Sequence, residues 1–183
     1  MGSNFMSIYV CDMDEVSRAV GCRDQAVARS LIETADEPLT SSMEHAIHAL
    51  VERSYSRDPK TFQHETGPAV IRAFERVCAI SSSASVTVEM YDDEEESPLL
   101  WNFIWDEWDG DDTLELPLSP HGVPAVTWHG PARTTRYLAA FEELRSSGSS
   151  DEEYLGEDEI DEIIEALQSA GAEGKGVFVF VEY

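Results

Sequence analysis

Apolar residues recur at helical spacing through the first half of the chain. In the segment MEHAIHALVERSY, the residues Met43, Ile47, Leu50 and Val51 fall on one face of a helix. The segment GPAVIRAFERVCAI repeats this spacing, with Pro68 near the first turn, where proline is tolerated. The pattern therefore predicts amphipathic helices, each with one face turned towards a core.

Residues that cap helices mark where these helices begin. Asp12 followed by Glu15, and Ser41 followed by Glu44, have the spacing of a capping box. Asp24 is a further candidate cap, before a segment with its own apolar face. Together with the periodicity, these signals predict four helices in the first half of the chain.

Strands are indicated by alternation and by short apolar runs. Val86, Val88 and Met90 alternate with polar residues, and the segments FMSIYVC, TLELPL, PAVTW and GVFVFVEY have the composition of strands. Helices and strands mix without a regular βαβα order. We therefore predict a single α+β domain over residues 1–183, with a small, mostly antiparallel sheet that includes both terminal strands and packs with five or six helices.

Two segments are expected to lie outside the packed fold. Met6 is the expected natural first residue, so residues 1–5 are interpreted as a cloning remnant or as disordered. Residues 146–157 are rich in serine, glycine and acidic side chains and are predicted to form a mobile polar loop. The helix that follows, DEIDEIIEALQSAG, is predicted to end at Gly171.

Acidic side chains far outnumber basic ones, with 37 aspartates and glutamates against 12 lysines and arginines and a net charge of −25. A small soluble domain usually carries a charge of magnitude about 2 to 8. Residues 1–88 carry 12 acidic and 8 basic side chains, whereas residues 89–183 carry 25 and 4. No lysine or arginine lies between Arg76 and Arg133. The chain is therefore nearly neutral in one half and strongly anionic in the other.

This charge restricts the classes of partner. Nucleic acids and anionic membranes need basic surface, so we predict that the chain binds neither directly, and a cationic protein is favoured. No stretch approaches the roughly 18 apolar residues of a membrane span. The three cysteines, Cys11, Cys22 and Cys78, form no CxxC pair, so we expect neither a disulfide framework nor a zinc knuckle. A reducing cytoplasm is the expected location.

Acidic residues are densest in the segment YDDEEESPLLWNFIWDEWDGDDTLELP, which also holds three tryptophans. Trp101, Ile104, Trp105 and Trp108 recur at the spacing of one helical face, so the rings are either core residues or anchors within an acidic surface patch. In the second case, a basic partner would contact the carboxylates and tryptophans of this segment. These predicted partner-binding residues are Asp92, Asp93, Glu94, Glu95, Glu96, Trp101, Trp105, Asp106, Glu107, Trp108, Asp109, Asp111 and Asp112.

Sequence motifs of metal and enzyme chemistry are missing. The segment DGDD breaks the order of an EF-hand calcium loop, although weak calcium binding through clustered carboxylates stays open. His45 and His48 lie one helical turn apart, but the sequence offers no further ligand nearby. No nucleophile elbow, phosphate loop, zinc-protease helix or dinucleotide-binding turn occurs. We therefore predict no metal, no cofactor and no catalytic residue, and we lean against enzymatic activity.

A second candidate site lies in the segment SPHGVPAVTWHGPARTTR, whose two arginines follow the long stretch without bases. Backbone N–H groups in the first turn of the helix that begins there, together with the first arginine, would suit a small anion. The alternative is that the arginines neutralise neighbouring carboxylates. The residues of this candidate ligand site are His121, Trp128, His129, Arg133 and Arg136.

The segment HGPAR, followed by the helix YLAAFEEL, resembles the Gly-Pro-Ala-Arg segment of the bacterial YfbM-like family. The two ends of the chain are also similar to that family, at DMDEVSRAV and at IIEALQSAGAEGKGVFVFVEY. The family's Trp- and His-containing helix in the first half has no counterpart here, and the region from Ser97 to Pro117 has none in the family. The resemblance implies a cytoplasmic bacterial α+β domain and no catalytic residue.

Our preferred hypothesis is a non-enzymatic acidic protein that recognises a basic protein, either as an inhibitor or immunity protein or as a mimic of nucleic acid. The alternative is a small-anion-binding protein or enzyme that uses His129, Arg133 and Arg136. A third hypothesis is a charge excess that serves solubility alone, which predicts acidic side chains spread over every face. The sequence leaves the partner and the oligomeric state open.

Overall fold

The computed structural model describes six stretches of the chain, to which every structural statement here refers: 4–34, 39–56, 67–90, 98–106, 125–147 and 155–182. Seven helices lie within them, against five or six predicted. The helices are α1 (Met13–Ala19), α2 (Gln25–Glu33), α3 (Ser41–Glu52), α4 (Gly67–Ser81), α5 (Pro98–Trp105), α6 (Pro131–Ser147) and α7 (Glu157–Glu173). None of these seven is both long enough and apolar enough to cross a membrane.

Four strands form one antiparallel sheet in the order β2-β1-β4-β3, which confirms the predicted fold class. The strands are β1 (Asn4–Cys11), β2 (Ala84–Met90), β3 (Ala125–His129) and β4 (Gly176–Glu182). The N-terminal β1 pairs directly with the C-terminal β4. Asn4 and Phe5 belong to β1, where they pair with Met90 and Glu89 of β2.

Each face of the sheet is covered by helices, because successive strand residues point to opposite sides. One core lies between the sheet and α1–α4, where the ring of Phe74 contacts those of Phe178 and Phe180. The other core lies between the sheet and α5–α7, and it includes Phe141 and Val179. The domain thus has three layers, with the sheet in the middle.

Caps confirm two of the predicted helix starts. The side chains of Asp12 and Asp24 each accept a hydrogen bond from the backbone N–H group two residues further on. At α3, the cap is Thr40, whose hydroxyl accepts a hydrogen bond from the backbone N–H of Met43 at 3.3 Å. Ser41, the predicted cap, is the first helical residue. The prediction is wrong by one position because both residues have side chains that can cap.

The boundaries around α7 also differ from those expected. Ser147 belongs to α6, Leu155 is buried and α7 begins at Glu157, so only residues 148–154 of the predicted polar loop lie outside the described residues. At its other end, α7 continues past the predicted stop to Gly174, which has a positive φ of 66° and caps the helix. That conformation favours glycine.

Replacing Thr40 with alanine should lower the free energy of unfolding by about 1 kcal/mol, because the backbone N–H groups at the start of α3 lose their acceptor. The matched change Ser41→Ala should have less than half of that effect, since Ser41 lies inside the helix. Urea denaturation of both variants measures the difference. Equal losses, or a larger loss for Ser41→Ala, would contradict the assignment of the cap.

Candidate functional site

The sheet separates two layers of different charge. The described helices of one layer, α1–α4, carry six acidic and four basic side chains. Those of the other layer, α5–α7, carry nine acidic and three basic side chains. We call α5–α7 the acidic layer. The imbalance between the two halves of the sequence is therefore also an imbalance between two sides of the folded domain.

Most of this negative charge lies on α7, which carries seven carboxylates and no lysine or arginine. The helix buries Ile160, Ile163 and Leu167 against the sheet. On the opposite face it exposes three carboxylates at the spacing i, i+4, i+7, which places them in one line along the helix. We call this line the acidic stripe; its members are Asp158, Glu162 and Glu165.

Sequence reasoning missed the acidic stripe, although its signal is local. In the segment EDEIDEIIEALQS, the spacing of the apolar residues predicts a buried helical face, and the carboxylates between them share the opposite face. The helical spacing that predicts one face also determines the other. The acidic stripe could therefore have been predicted from the sequence alone.

Part of the charge on α7 is compensated. Arg145, near the end of α6, pairs with Asp161 at 2.9 Å and with Glu157 at 3.4 Å. The carboxylates of the first turn are also stabilised by the N-terminal end of the helix dipole. Among the residues that the structure describes, no lysine or arginine is within ion-pair distance of the acidic stripe. Its charge is therefore directed towards solvent.

Two tryptophans lie at the margin of the acidic layer. The helix α5 buries Leu100, Phe103 and Ile104, whereas Trp101 and Trp105 are only half-buried, with ring centroids 5.4 Å apart. The predicted helical face is thus divided, since Ile104 belongs to the core and the two rings flank it. The third ring of the predicted face, Trp108, lies outside the described residues.

Asp106 follows α5 and contacts both β3 and α6. Its carboxylate accepts a hydrogen bond from the Tyr137 hydroxyl at 2.9 Å and pairs with Arg133 at 3.2 Å, and its backbone carbonyl accepts a hydrogen bond from Thr127 at 3.0 Å. Burial and the Asp106 carboxylate together raise the pKa of Tyr137 well above its usual value. Asp106 therefore joins α5 to β3 and α6, and its carboxylate is engaged within the protein.

The other acidic residues predicted to contact a partner are not placed by the structure. Trp101, Trp105 and Asp106 are the only members of that predicted set within the described ranges. The remaining members lie outside them: Asp92, Asp93, Glu94, Glu95, Glu96, Glu107, Trp108, Asp109, Asp111 and Asp112.

The sheet divides the described residues of the second candidate site. Trp128 and His129 are neighbours in β3 and point to opposite faces of the sheet, where both are buried. The Trp128 ring packs against Phe178 in one core, at a centroid distance of 4.5 Å. In the other core, the His129 ring stacks on Phe103, and its Nε2 lies 2.7 Å from the Phe103 carbonyl oxygen.

The two arginines of that site do not line a common pocket in the described part of the chain. Arg133 pairs with Asp106, as the alternative interpretation of neutralised carboxylates predicted. Arg136 is exposed, and His121 lies outside the described residues. Within the described part of the chain, no group of three or more histidine, cysteine, aspartate or glutamate residues is placed to hold a metal ion. What the acidic layer offers chemically is a negatively charged surface with two aromatic rings at its edge.

Residues 1–182 match the family described as Domain of unknown function (DUF7691), so the chain belongs to that family. Comparison with curated proteins and with solved structures found no match. Nothing in these comparisons links the chain to the YfbM-like family, and that resemblance stays a prediction.

Replacing Tyr137 with phenylalanine should lower the free energy of unfolding by about 1.5–3 kcal/mol at neutral pH, because the partly buried hydroxyl no longer donates to the charged Asp106. The folded pKa of Tyr137 is raised, so its contribution is complete below the unfolded value of about 10 and is lost as the pH rises beyond it. The gap in free energy of unfolding between the wild type and Tyr137→Phe should therefore narrow in alkaline solution.

Urea denaturation on both sides of the unfolded tyrosine pKa measures this gap. Tyr9→Phe is a parallel variant, since Tyr9 donates to Glu75 at 2.9 Å in the other core and its pKa is raised mainly by burial. A gap that stays constant as the pH rises would contradict the hydrogen bond between Tyr137 and Asp106.

Proposed function

We propose that the acidic layer binds a positively charged protein and that the chain acts as an inhibitor or immunity-type partner rather than as an enzyme. The observation that carries this proposal is the separation of charge by the sheet, with the acidic stripe of α7 facing solvent. Exposed carboxylates on one face repel each other, so a cationic surface that approaches them is attracted and relieves that repulsion.

The distribution of charge favours recognition over a role in solubility alone. A charge excess that serves solubility predicts similar excess acid on both sides of the domain. In the described helices, the excess is two carboxylates in the α1–α4 layer and six in the acidic layer. A partner that approaches the acidic layer therefore meets most of the helical charge at once.

The two half-buried tryptophans would add the apolar part of such an interface. Trp101 and Trp105 lie on α5, which packs mainly on β3 at one edge of the sheet, whereas α7 packs mainly on β2 and β1 towards the other edge. Partly exposed aromatic rings supply desolvated contact and can interact with arginine side chains of a partner. The proposed footprint thus runs from the acidic stripe across α6 to the tryptophan pair.

The density of charge along α7 favours a partner that normally binds nucleic acid. Its seven carboxylates are spread over 17 residues, or about 25 Å, which is one charge per roughly 3.6 Å of helix. A single strand of B-DNA carries one charge per about 3.4 Å along the axis. A basic groove built for a phosphate backbone would therefore meet a similar density of charge on α7.

Two further parts of the proposal concern location and ancestry. We infer a cytoplasmic location, which the three free cysteines support because thiols persist in a reducing compartment. A relationship to the YfbM-like family is also proposed, on the segment HGPAR and the two chain ends. Direct binding of nucleic acid or of an anionic membrane remains disfavoured by the charge.

Neutralising the acidic stripe should weaken binding to a polycation, for which poly-L-arginine is the probe. The variant Asp158→Asn/Glu162→Gln/Glu165→Gln should lose about tenfold or more in affinity, equivalent to about 1.4 kcal/mol. The control Asp14→Asn/Glu33→Gln/Glu44→Gln removes the same charge from exposed residues of the opposite layer and should change affinity less than about threefold.

Titration at low and at physiological ionic strength measures both variants, and capture from a lysate of the native host tests for a basic protein. Affinity should fall steeply with added salt, because the screening length at physiological ionic strength is only about 8 Å. Equal losses in the two triple variants would show that the position of the charge does not matter and would remove the proposal.

Replacing Trp101 and Trp105 with alanine should lower the affinity for poly-L-arginine severalfold, because arginine loses its stacking surface at this edge of the layer. The control Ile80→Ala removes an exposed apolar side chain, 51% accessible, from α4 on the opposite layer and should leave binding unchanged. Thermal unfolding confirms that each variant is folded. Unchanged binding by the folded double variant would exclude the tryptophans from the interface.

A further inference from the structure

Two of the three cysteines meet inside the domain. Cys11 is the last residue of β1, Cys78 lies in α4, and neither has any solvent exposure. The Cys11 thiol donates to the backbone carbonyl oxygen of Cys78 at 3.5 Å. They are 67 positions apart in the sequence, so no spacing motif indicates the pair.

The contact is held in place by its surroundings. Tyr9 lies on the same face of β1 as Cys11, and Glu75 precedes Cys78 by about one turn of α4. The hydrogen bond from the Tyr9 hydroxyl to Glu75, at 2.9 Å, joins the strand and the helix beside the cysteine pair. Packing of Phe74 against β4 holds the same helix on the sheet.

Burial keeps the Cys78 thiol protonated and shields both thiols from solvent in the folded protein. Burial raises the pKa of Cys78 well above its usual value, and the neighbouring Cys11 and Glu75 act in the same direction. Thiol exchange needs a thiolate and access to it, so the buried pair reacts slowly. Cys22, in contrast, is exposed.

We propose that Cys11 and Cys78 form a latent disulfide, made by exchange with a small disulfide such as oxidised glutathione. The Cys11 thiol loses its proton and attacks one glutathione sulfur, which breaks the glutathione disulfide and releases a glutathione thiolate that takes up a proton. The Cys78 thiol then loses its proton, and its thiolate attacks the Cys11 sulfur of the mixed disulfide, which releases the second glutathione as a thiolate that takes up a proton. Two cysteine thiols are oxidised, and one glutathione disulfide is reduced to two thiols.

Such a bond would tie α4 to the central strand of the sheet and would close a loop of 67 residues. Closure of a long loop restricts the unfolded chain and so stabilises the folded one. Because folding and disulfide formation are thermodynamically linked, a bond that stabilises the folded chain also forms more favourably in the folded chain than in the unfolded one. The protein would then become more resistant to unfolding when its surroundings become oxidising, without any change at the acidic layer.

The test uses the full chain with Cys22→Ser, which leaves only the buried pair, equilibrated in glutathione buffers of defined ratio during unfolding and refolding. Mass spectrometry of peptides should find the bond between Cys11 and Cys78. The ratio of disulfide to dithiol should be about 100-fold or more higher in the folded chain than in denaturant. The thermal midpoint of the oxidised form should rise by about 10 °C and should return after reduction.

The control Cys22→Ser/Cys78→Ala should show neither the bond nor the rise. Refolding in the redox buffer removes the obstacle of burial, so failure to form the bond there would show that the two sulfurs cannot bridge. A bond that forms equally in folded and denatured chains, or that leaves the thermal midpoint unchanged, would also overturn the proposal. Neither result bears on the binding of a polycation.

Discussion

The strand β4 is apolar from Val177 to Val181, and every one of these side chains is buried. A strand of this kind cannot leave one face in water, so both sides of the sheet must be covered. The chain meets this requirement in sequence order: α1–α4 cover one face, and α5–α7 cover the other. Because the acidic residues belong mostly to the second half, the constraint that closes the two cores also separates the charge.

Within the acidic layer, two arginines connect secondary-structure elements. Arg145 joins the end of α6 to the start of α7, and Arg133 joins the start of α6 to the end of α5 through Asp106. These ion pairs are partly exposed, so each contributes more to the relative position of two helices than to overall stability. The acidic stripe receives no such partner among the described residues. Its carboxylates are therefore the part of the layer best placed to attract a cationic molecule.

The two site hypotheses drawn from the sequence meet at one junction. Asp106 was predicted to contact a partner, and His129 and Arg133 were predicted to contact a ligand. All three lie where α5, β3 and the start of α6 meet. Asp106 pairs with Arg133 and accepts a hydrogen bond from Tyr137, and the His129 ring lies within hydrogen-bond distance of the Phe103 carbonyl oxygen. Polar groups that bond to each other between elements hold those elements together. A cluster of reactive residue types in a sequence thus indicates a polar junction, and only its burial tells whether a ligand can reach it.

Local signals were sufficient for much of the fold. The caps at Asp12 and Asp24, the alternation in β2 and the apolar run of β4 depend on residues a few positions apart, and so does the acidic stripe, although it was overlooked. Tertiary structure alone decided that α5–α7 share one side of the sheet, that Arg133 pairs with Asp106, and that Cys11 meets Cys78. These contacts join segments far apart in the chain. They depend on how whole helices pack on the sheet, and no pattern of neighbouring residues in the sequence encodes that packing.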